Sequence, residues 1–217
     1  MTVVQTWLTD TRTSYDTVAV SYADRLRDSI AESPSLRMTL GLFASLVHGN
    51  GPVADVGCGT GHVTAHLNGL GLDAFGLDLS PGMVEVARRD YPEVRFAVGS
   101  MTALPLPDAS VAGLLSWWSL IHLPDDAVPT ALAEFHRVLR PGGPVAIGFH
   151  VGDVARLKTQ GYGGHPMRVH VHRRRPARVS EWLREAGFAV EAEWVEELDS
   201  EVPQAVVYSR RPACRVS

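Results

Sequence analysis

Val53-Ala54-Asp55-Val56-Gly57-Cys58-Gly59-Thr60-Gly61-His62-Val63 decides how the rest of this chain is read. A short apolar run ends in an acid, passes through three glycines at alternate positions and enters a segment of helical spacing, which predicts strand, tight turn and helix. Glycine suits that turn because it needs positive φ, and because a ligand can approach backbone where no Cβ intrudes. The turn is expected to bind a nucleotide-type ligand through Gly57, Gly59, Gly61 and the backbone N–H of Cys58, whose side chain is a small tolerated group and not a nucleophile.

Downstream, Ala74-Phe75-Gly76-Leu77-Asp78-Leu79 reads as a second strand with Asp78 at its carboxyl end, seventeen positions beyond Gly61. An acid there can receive both hydroxyls of a ribose. Ser80 and Pro81 then read as N-cap and first turn of a helix.

Asp55-x-Gly57-x-Gly59-x-Gly61 followed by Asp78, with Leu139-Arg140-Pro141-Gly142-Gly143 further on, resembles the class I S-adenosylmethionine-dependent methyltransferases over roughly residues 13–210. Nicotinamide-binding loops space their last two glycines three apart, so Gly59-x-Gly61 favours the methyltransferase. The resemblance implies a doubly wound α/β fold: a mostly parallel seven-stranded sheet, helices on both faces and one antiparallel edge strand. It also implies S-adenosylmethionine as methyl donor and S-adenosylhomocysteine as product. The chain is expected to be one domain over residues 1–217, with a helical lid segment at 1–48, a cofactor-binding core at 49–217 and a substrate-loop region at 151–178. A nicotinamide-dependent oxidoreductase and a cofactor-binding module without chemistry stand as rivals.

Composition sets the outer bounds. At 217 residues and 45% hydrophobic content the chain can bury one full core, and a net charge of −4 offers no electrostatic footprint for a nucleic acid backbone. Two cysteines, Cys58 and Cys214, make no stapled framework, which points to a reducing cytoplasm. Met1 to Asp10 lack a basic segment followed by an apolar run, and no stretch reaches membrane-spanning length. The expected partner is a small-molecule methyl acceptor, with no nucleic acid and no membrane, for a monomer or homodimer.

Tyr15, Val18, Tyr22, Leu26 and Ile30 recur at spacings of three and four, predicting an amphipathic helix over 13–30. By resemblance, Tyr15-Asp16-Thr17-Val18-Ala19-Val20-Ser21-Tyr22 is a segment that closes over the cofactor, with Tyr15 and Tyr22 touching it. A second helix follows Ser33-Pro34, with Leu36, Leu40, Phe43 and Val47 inward, and ends at Gly49-Asn50-Gly51. Further helices are expected from His62 to Leu70 with Val63, Leu67 and Leu70 inward, through Met83, Val84, Val86 and Ala87, from Ala127 to Leu139, and from Ser180 to Ala186. Strands are expected at 94–98, 111–117, 145–150, 188–195 and 205–208, the last two as a hairpin, and an irregular segment through Gly161 to Pro166.

Methyl transfer from a sulfonium is an in-line displacement of an activated donor, so placement dominates and a base is optional. Asp55 is expected to receive the donor's amino group. Leu79 and Met83 are further expected cofactor contacts, and by resemblance Ser100 and Met101 meet the adenine, Ser100 standing where relatives often carry an acid. Ser116-Trp117-Trp118-Ser119-Leu120-Ile121-His122 borders the site. Adjacent on a strand, Trp117 and Trp118 should face opposite ways, one offering cation–π contact to a sulfonium. His122, just past a strand end, is a candidate general base and equally a pocket-shaping residue; Tyr22 is the second candidate. His165, His170 and His172 with Arg168 suggest a polar substrate pocket, metal being a minority reading, and Arg173-Arg174-Arg175 reads as a solvated charge run. The tetrad used by relatives that methylate exocyclic or amide nitrogen is absent after strand four, which disfavours DNA adenine and protein glutamine. The acceptor atom is then oxygen or nitrogen, with carbon a lesser alternative.

Overall fold

The computed structural model of the chain describes residues 6–47, 51–196 and 202–213. Gly49 and Asn50, foreseen as a helix end, and Cys214 lie outside the described residues. Three helices lead in, α1 (Thr6–Leu26), α2 (Ser29–Glu32) and α3 (Pro34–Leu46). Strands and helices then alternate: β1 (Pro52–Val56), α4 (His62–Gly69), β2 (Asp73–Asp78), α5 (Pro81–Asp90), β3 (Arg95–Val98), β4 (Gly113–Trp117), α6 (Val128–Val138) and β5 (Pro144–His150). A 3-10 turn at Leu120–His122 follows β4. The chain closes with β6 (Ala155–Gly161), β7 (His165–His172), α7 (Pro176–Glu185), β8 (Ala189–Glu196) and β9 (Gln204–Arg210).

Seven strands form one sheet in the order β3-β2-β1-β4-β5-β9-β8. The first five are parallel, and the antiparallel edge is the β8–β9 hairpin, in which β9 runs against both β5 and β8. Strand order reverses between β1 and β4, which opens a crevice at their carboxyl ends. These central strands are buried on both faces, so they read as apolar runs and not as alternations. One face packs on Val128, Leu132 and Phe135 of α6 and Val179 and Leu183 of α7; the other packs on Leu36, Leu40 and Phe43 of α3 and Val63 and Leu67 of α4.

Local chemistry sets the helix starts. Ser33 accepts the Leu36 N–H at 3.2 Å and Ser80 the Met83 N–H at 3.0 Å, each with proline in the following first turn. Leu70, expected inward, is 43% exposed because α4 ends before it. The helix foreseen over 13–30 begins at Thr6 and stops at Leu26, so Ile30 belongs to α2. The final helix begins at Pro176, four residues before Ser180, since proline at the first helical position starts a helix readily.

The segment expected to be irregular is an antiparallel ribbon, β6 against β7, outside the main sheet. Only Met167 and Val169 of this ribbon are buried hydrophobics, and they lie in a cluster with Val18, Ala19 and Ala23 of α1. So few buried positions leave little alternation to read.

Candidate functional site

The glycine loop adopts the left-handed conformation at Gly57 (φ +80), Gly59 (φ +54) and Gly61 (φ +85). A Cβ on Gly57 would lie 2.1 Å from Cβ of Ser119, and one on Gly61 2.6 Å from the Phe96 ring. Gly61 is therefore a packing glycine that lines neither cavity described below, contrary to its expected role. The N–H groups of Gly57 and Cys58 both donate to the Leu77 carbonyl, at 2.7 and 3.1 Å. Cys58 thus has no free backbone donor to offer, and its thiol, pushed well up by burial, packs in a small cluster with Val84, Ala87 and Phe96.

Gly59 N–H meets Asp78 Oδ2 at 2.8 Å, and Ser80 N–H meets Oδ1 at 2.8 Å. The Asp78 carboxylate is thereby oriented by backbone, while burial raises its pKa to about 6. Asp55, wholly buried at the end of β1, accepts the Thr64 hydroxyl on Oδ2 at 2.6 Å. Its Oδ1 has no partner among the described residues, and burial pushes its pKa up to about 7.

A cleft over these strand ends is lined by Gly57, Gly59, Asp78, Leu79 and Met83, by Ser100 and Met101 after β3, and by Trp117, Trp118, Ser119 and His122 after β4. Trp7, Leu8, Thr11, Tyr15 and Tyr22 line it from α1. A second cavity of about 290 Å³ shares Tyr22, Gly57, Trp117 and Trp118 and adds Asp55, Cys58, His62 and Glu196. Asp55 Oδ1, His62 Nδ1 and the indole nitrogens of Trp117 and Trp118 are buried without partners, and all four residues line this cavity. An acceptor and two indole donors on residues that line a single cavity suit a zwitterion.

Trp117 and Trp118 do not face opposite ways. β4 ends at Trp117, and Trp118 has φ +46, a left-handed turn that brings the indoles edge to face at 4.7 Å. Strand alternation no longer applies there. Ser116 also departs from expectation: it is fully buried, bonded to Ser119 Oγ at 2.8 Å, and lines neither cavity. Ser119, which donates to the Val56 carbonyl at 2.8 Å, lines the cleft instead.

His122 is buried, with Nδ1 2.9 Å from the His170 carbonyl and Nε2 2.7 Å from the Tyr15 hydroxyl. A carbonyl only accepts, so Nδ1 carries the hydrogen and the Nε2 lone pair accepts from Tyr15. Burial lowers the His122 pKa to about 4, leaving a neutral imidazole, and raises that of Tyr15.

Two anchoring residues escape a reading by sequence pattern. Asp16 Oδ1 accepts from Ser80 Oγ at 2.6 Å and from Gly82 N–H at 2.8 Å, tying α1 to the start of α5. Arg174, taken as solvated, is 5% exposed: it donates to the Leu120 carbonyl at 3.1 Å, to the Leu123 carbonyl at 2.5 Å and to Asp125 at 2.9 Å. It thereby clamps the 3-10 turn that carries His122. The tyrosine spacing could have pointed to Asp16 as an exposed acid among apolar positions, whereas nothing local marks Arg174. His165, Arg168, His170 and His172 line neither cavity, and Arg168 pairs with Asp10 at 3.0 Å. Among the described residues no three His, Cys, Asp or Glu side chains are grouped to hold a metal ion, and no helix is long and apolar enough to cross a membrane.

Residues 53–143, from β1 to the turn before β5, match the family described as "Methyltransferase domain". Over this segment the chain is similar to methyltransferase domains. Among curated relatives, the malonyl-[acyl-carrier protein] O-methyltransferase of Yersinia pestis is 41% identical over 91 residues, 42% of this chain and 33% of that protein. An O-methyltransferase of Penicillium expansum is 36% identical over 140 residues, 61% of this chain and 50% of that one. The match thus spans about a third to a half of the length of these curated relatives. The solved 1,6-didemethyltoxoflavin-N1-methyltransferase of Burkholderia thailandensis, with bound 1,6-didemethyltoxoflavin and S-adenosylhomocysteine, superposes with TM-score 0.74 at 23% identity over 98% of this chain and 92% of that one. The methyltransferase fold therefore extends well beyond the segment that matches by sequence.

Proposed function

We propose that this protein is an S-adenosylmethionine-dependent methyltransferase acting on oxygen or nitrogen of a small molecule. One observation carries the reading: the Asp78 carboxylate, held by Gly59 and Ser80 N–H groups, lines the cleft, and Asp55, its Oδ1 unpartnered, lines the adjoining cavity that shares Tyr22, Gly57, Trp117 and Trp118 with it. Asp78 would hold the ribose hydroxyls, Asp55 the amino group, the indole N–H groups the carboxylate, and Leu79, Ser100 and Met101 the adenine. The donor, once bound, supplies an activated methyl group on a positively charged sulfur. The residues then have to bind, orient and exclude water, which the α1 side chains Trp7, Tyr15 and Tyr22 do by covering the cleft. Holding two reactants in line can lower a barrier by about 7–11 kcal/mol.

Support for a small acceptor comes from the demethylmenaquinone methyltransferase of Renibacterium salmoninarum among the relatives, and support for oxygen from the malonyl-[acyl-carrier protein] O-methyltransferase. His122 and Tyr22, both of which line the cleft, are the candidate catalytic groups.

Calorimetry with S-adenosylhomocysteine tests the reading. Saturable heat is expected, and reduced nicotinamide cofactor should leave the intrinsic fluorescence unchanged. Absence of heat with both donor and product overturns it. Donor binding without release of product on any acceptor would favour a binding module.

A further inference from the structure

Resting on that reading, we propose that Tyr15 takes the proton of the acceptor and passes its own to His122, so the acceptor is an un-ionised hydroxyl on a flat aromatic ring and not a carboxylate. Three observations lead there.

The first is direction. With Nδ1–H committed to the His170 carbonyl at 2.9 Å, His122 can gain a proton only at Nε2, and that lone pair faces the Tyr15 hydroxyl at 2.7 Å. Tyr15 Oη, which also has the Tyr162 hydroxyl as a hydrogen-bond neighbour, keeps one acceptor position, and Tyr15 lines the cleft, so it, and not the imidazole, can meet a hydroxyl there.

The second is charge. Neither cavity is lined by a lysine or arginine, whereas Asp55, Asp78 and Glu196 line them. Lys158 lies 4.1 Å over the Tyr162 ring and lines neither. An acceptor that arrives as an anion would find no lysine or arginine to pair with, and its opposite charge, the donor's sulfonium, is lost as the methyl group transfers, which burial makes costly. The third is surface. Tyr15 stands edge-on to Tyr22 at 6.1 Å, Tyr22 against Tyr162 at 4.7 Å and Trp117 against Trp118 at 4.7 Å. Such faces suit a planar ring.

The step balances. As the acceptor oxygen forms its bond to the methyl carbon, the carbon–sulfur bond breaks and its electron pair stays on sulfur. The acceptor proton moves to Tyr15 Oη and the Tyr15 proton to His122 Nε2. One positive charge is lost at sulfur and one is gained at the imidazole, so the buried site keeps its net charge, which offsets the desolvation that otherwise disfavours a charged His122.

The test uses whole protein preloaded with S-adenosylhomocysteine, titrated with 2-naphthol and with 2-naphthoate and read by calorimetry and tryptophan fluorescence. Naphthol should bind at least tenfold tighter than naphthoate. Adding naphthol should shift the Nε2 resonance of ¹⁵N-labelled His122 while Nδ1 stays protonated. In Tyr15→Phe the loss of naphthol affinity should exceed any loss of S-adenosylhomocysteine affinity at least fivefold. With the donor in place of its product, 2-methoxynaphthalene should form. Equal or tighter binding of naphthoate, binding of neither ring, or an unshifted Nε2 overturns the proposal. Failure of S-adenosylhomocysteine itself to bind is separate, since it strikes the cofactor site beneath.

Discussion

Asp16 of α1 accepts both the Ser80 hydroxyl and the Gly82 N–H through one oxygen, Oδ1, so the helix that covers the cleft is latched to the start of the helix that follows Asp78. A carboxylate at a helix N-terminus is also favoured by the helix dipole.

Breaking that latch should free the cofactor sooner. Hydrogen bonds to a charged group contribute about 1.5–3 kcal/mol, so Asp16→Ala is expected to raise the dissociation rate of S-adenosylhomocysteine roughly tenfold or more. Stopped-flow tryptophan fluorescence reads this, and an unchanged off-rate would show that α1 is not the barrier to release.

Asp78→Asn keeps the shape but replaces one acceptor oxygen with a donor beside the Gly59 or Ser80 N–H. Affinity for S-adenosylhomocysteine should fall about 10- to 100-fold by calorimetry. Retained affinity would remove Asp78 from the cofactor site.

Gly57 and Gly71 separate two effects. Gly57→Ala places a Cβ 2.1 Å from Ser119 at φ +80, whereas Gly71→Ala at φ +90 meets nothing within 4 Å. Gly71→Ala should cost only the left-handed backbone penalty, about 1–2 kcal/mol. Gly57→Ala should cost more and abolish cofactor binding, measured as urea midpoint and heat of binding.

Arg174→Met removes a donor from the Leu123 carbonyl, at about 1–3 kcal/mol for a buried acceptor left unmet, while the Leu120 carbonyl keeps the Leu123 N–H at 3.1 Å. A lower melting temperature and altered ¹⁵N signals of His122 are expected, partly restored in Arg174→Lys. Unaltered His122 signals would mean that the turn holds itself.

The pH dependence has opposing parts. Asp55 has a folded pKa of about 7 against an ordinary value of 3.8, so the folded state binds a proton that the unfolded state releases, and stability falls as pH rises through that window. His122, lowered to about 4 from 6.5, acts the other way, with stability lost as pH falls from 6.5. Asp55→Asn should therefore gain stability relative to the parent between pH 5 and 7, by at most about 1.4 kcal/mol per pH unit. Urea midpoints at both pH values check the sign.

Residues whose partners are close in sequence were legible. Ser33-Pro34 and Ser80-Pro81 announce helix starts because the cap binds an N–H three residues on. Met83, Val84, Val86 and Ala87 are all buried, as helical spacing requires. Trp117 and Trp118 misled because strand alternation was carried past the point where Trp118 turns left-handed; Ser116 stays inside the strand, and after the turn Ser119 lines the cleft. The β6–β7 ribbon misled because little of it is buried, and burial is what imprints a period on a strand.

By itself the sequence determined the alternating strand–helix order, the left-handed glycine turn and the two acids that flank it, since each depends on neighbours within a few residues or on the freedom of glycine alone. Only the tertiary structure decided that Tyr15 bonds His122 across 107 positions, that Arg174 turns inward to hold Leu120 and Leu123, and that Cys58 faces the core. Those are pairings between distant segments, and a hydrogen bond or a buried charge leaves no periodic trace at either end of the chain that makes it.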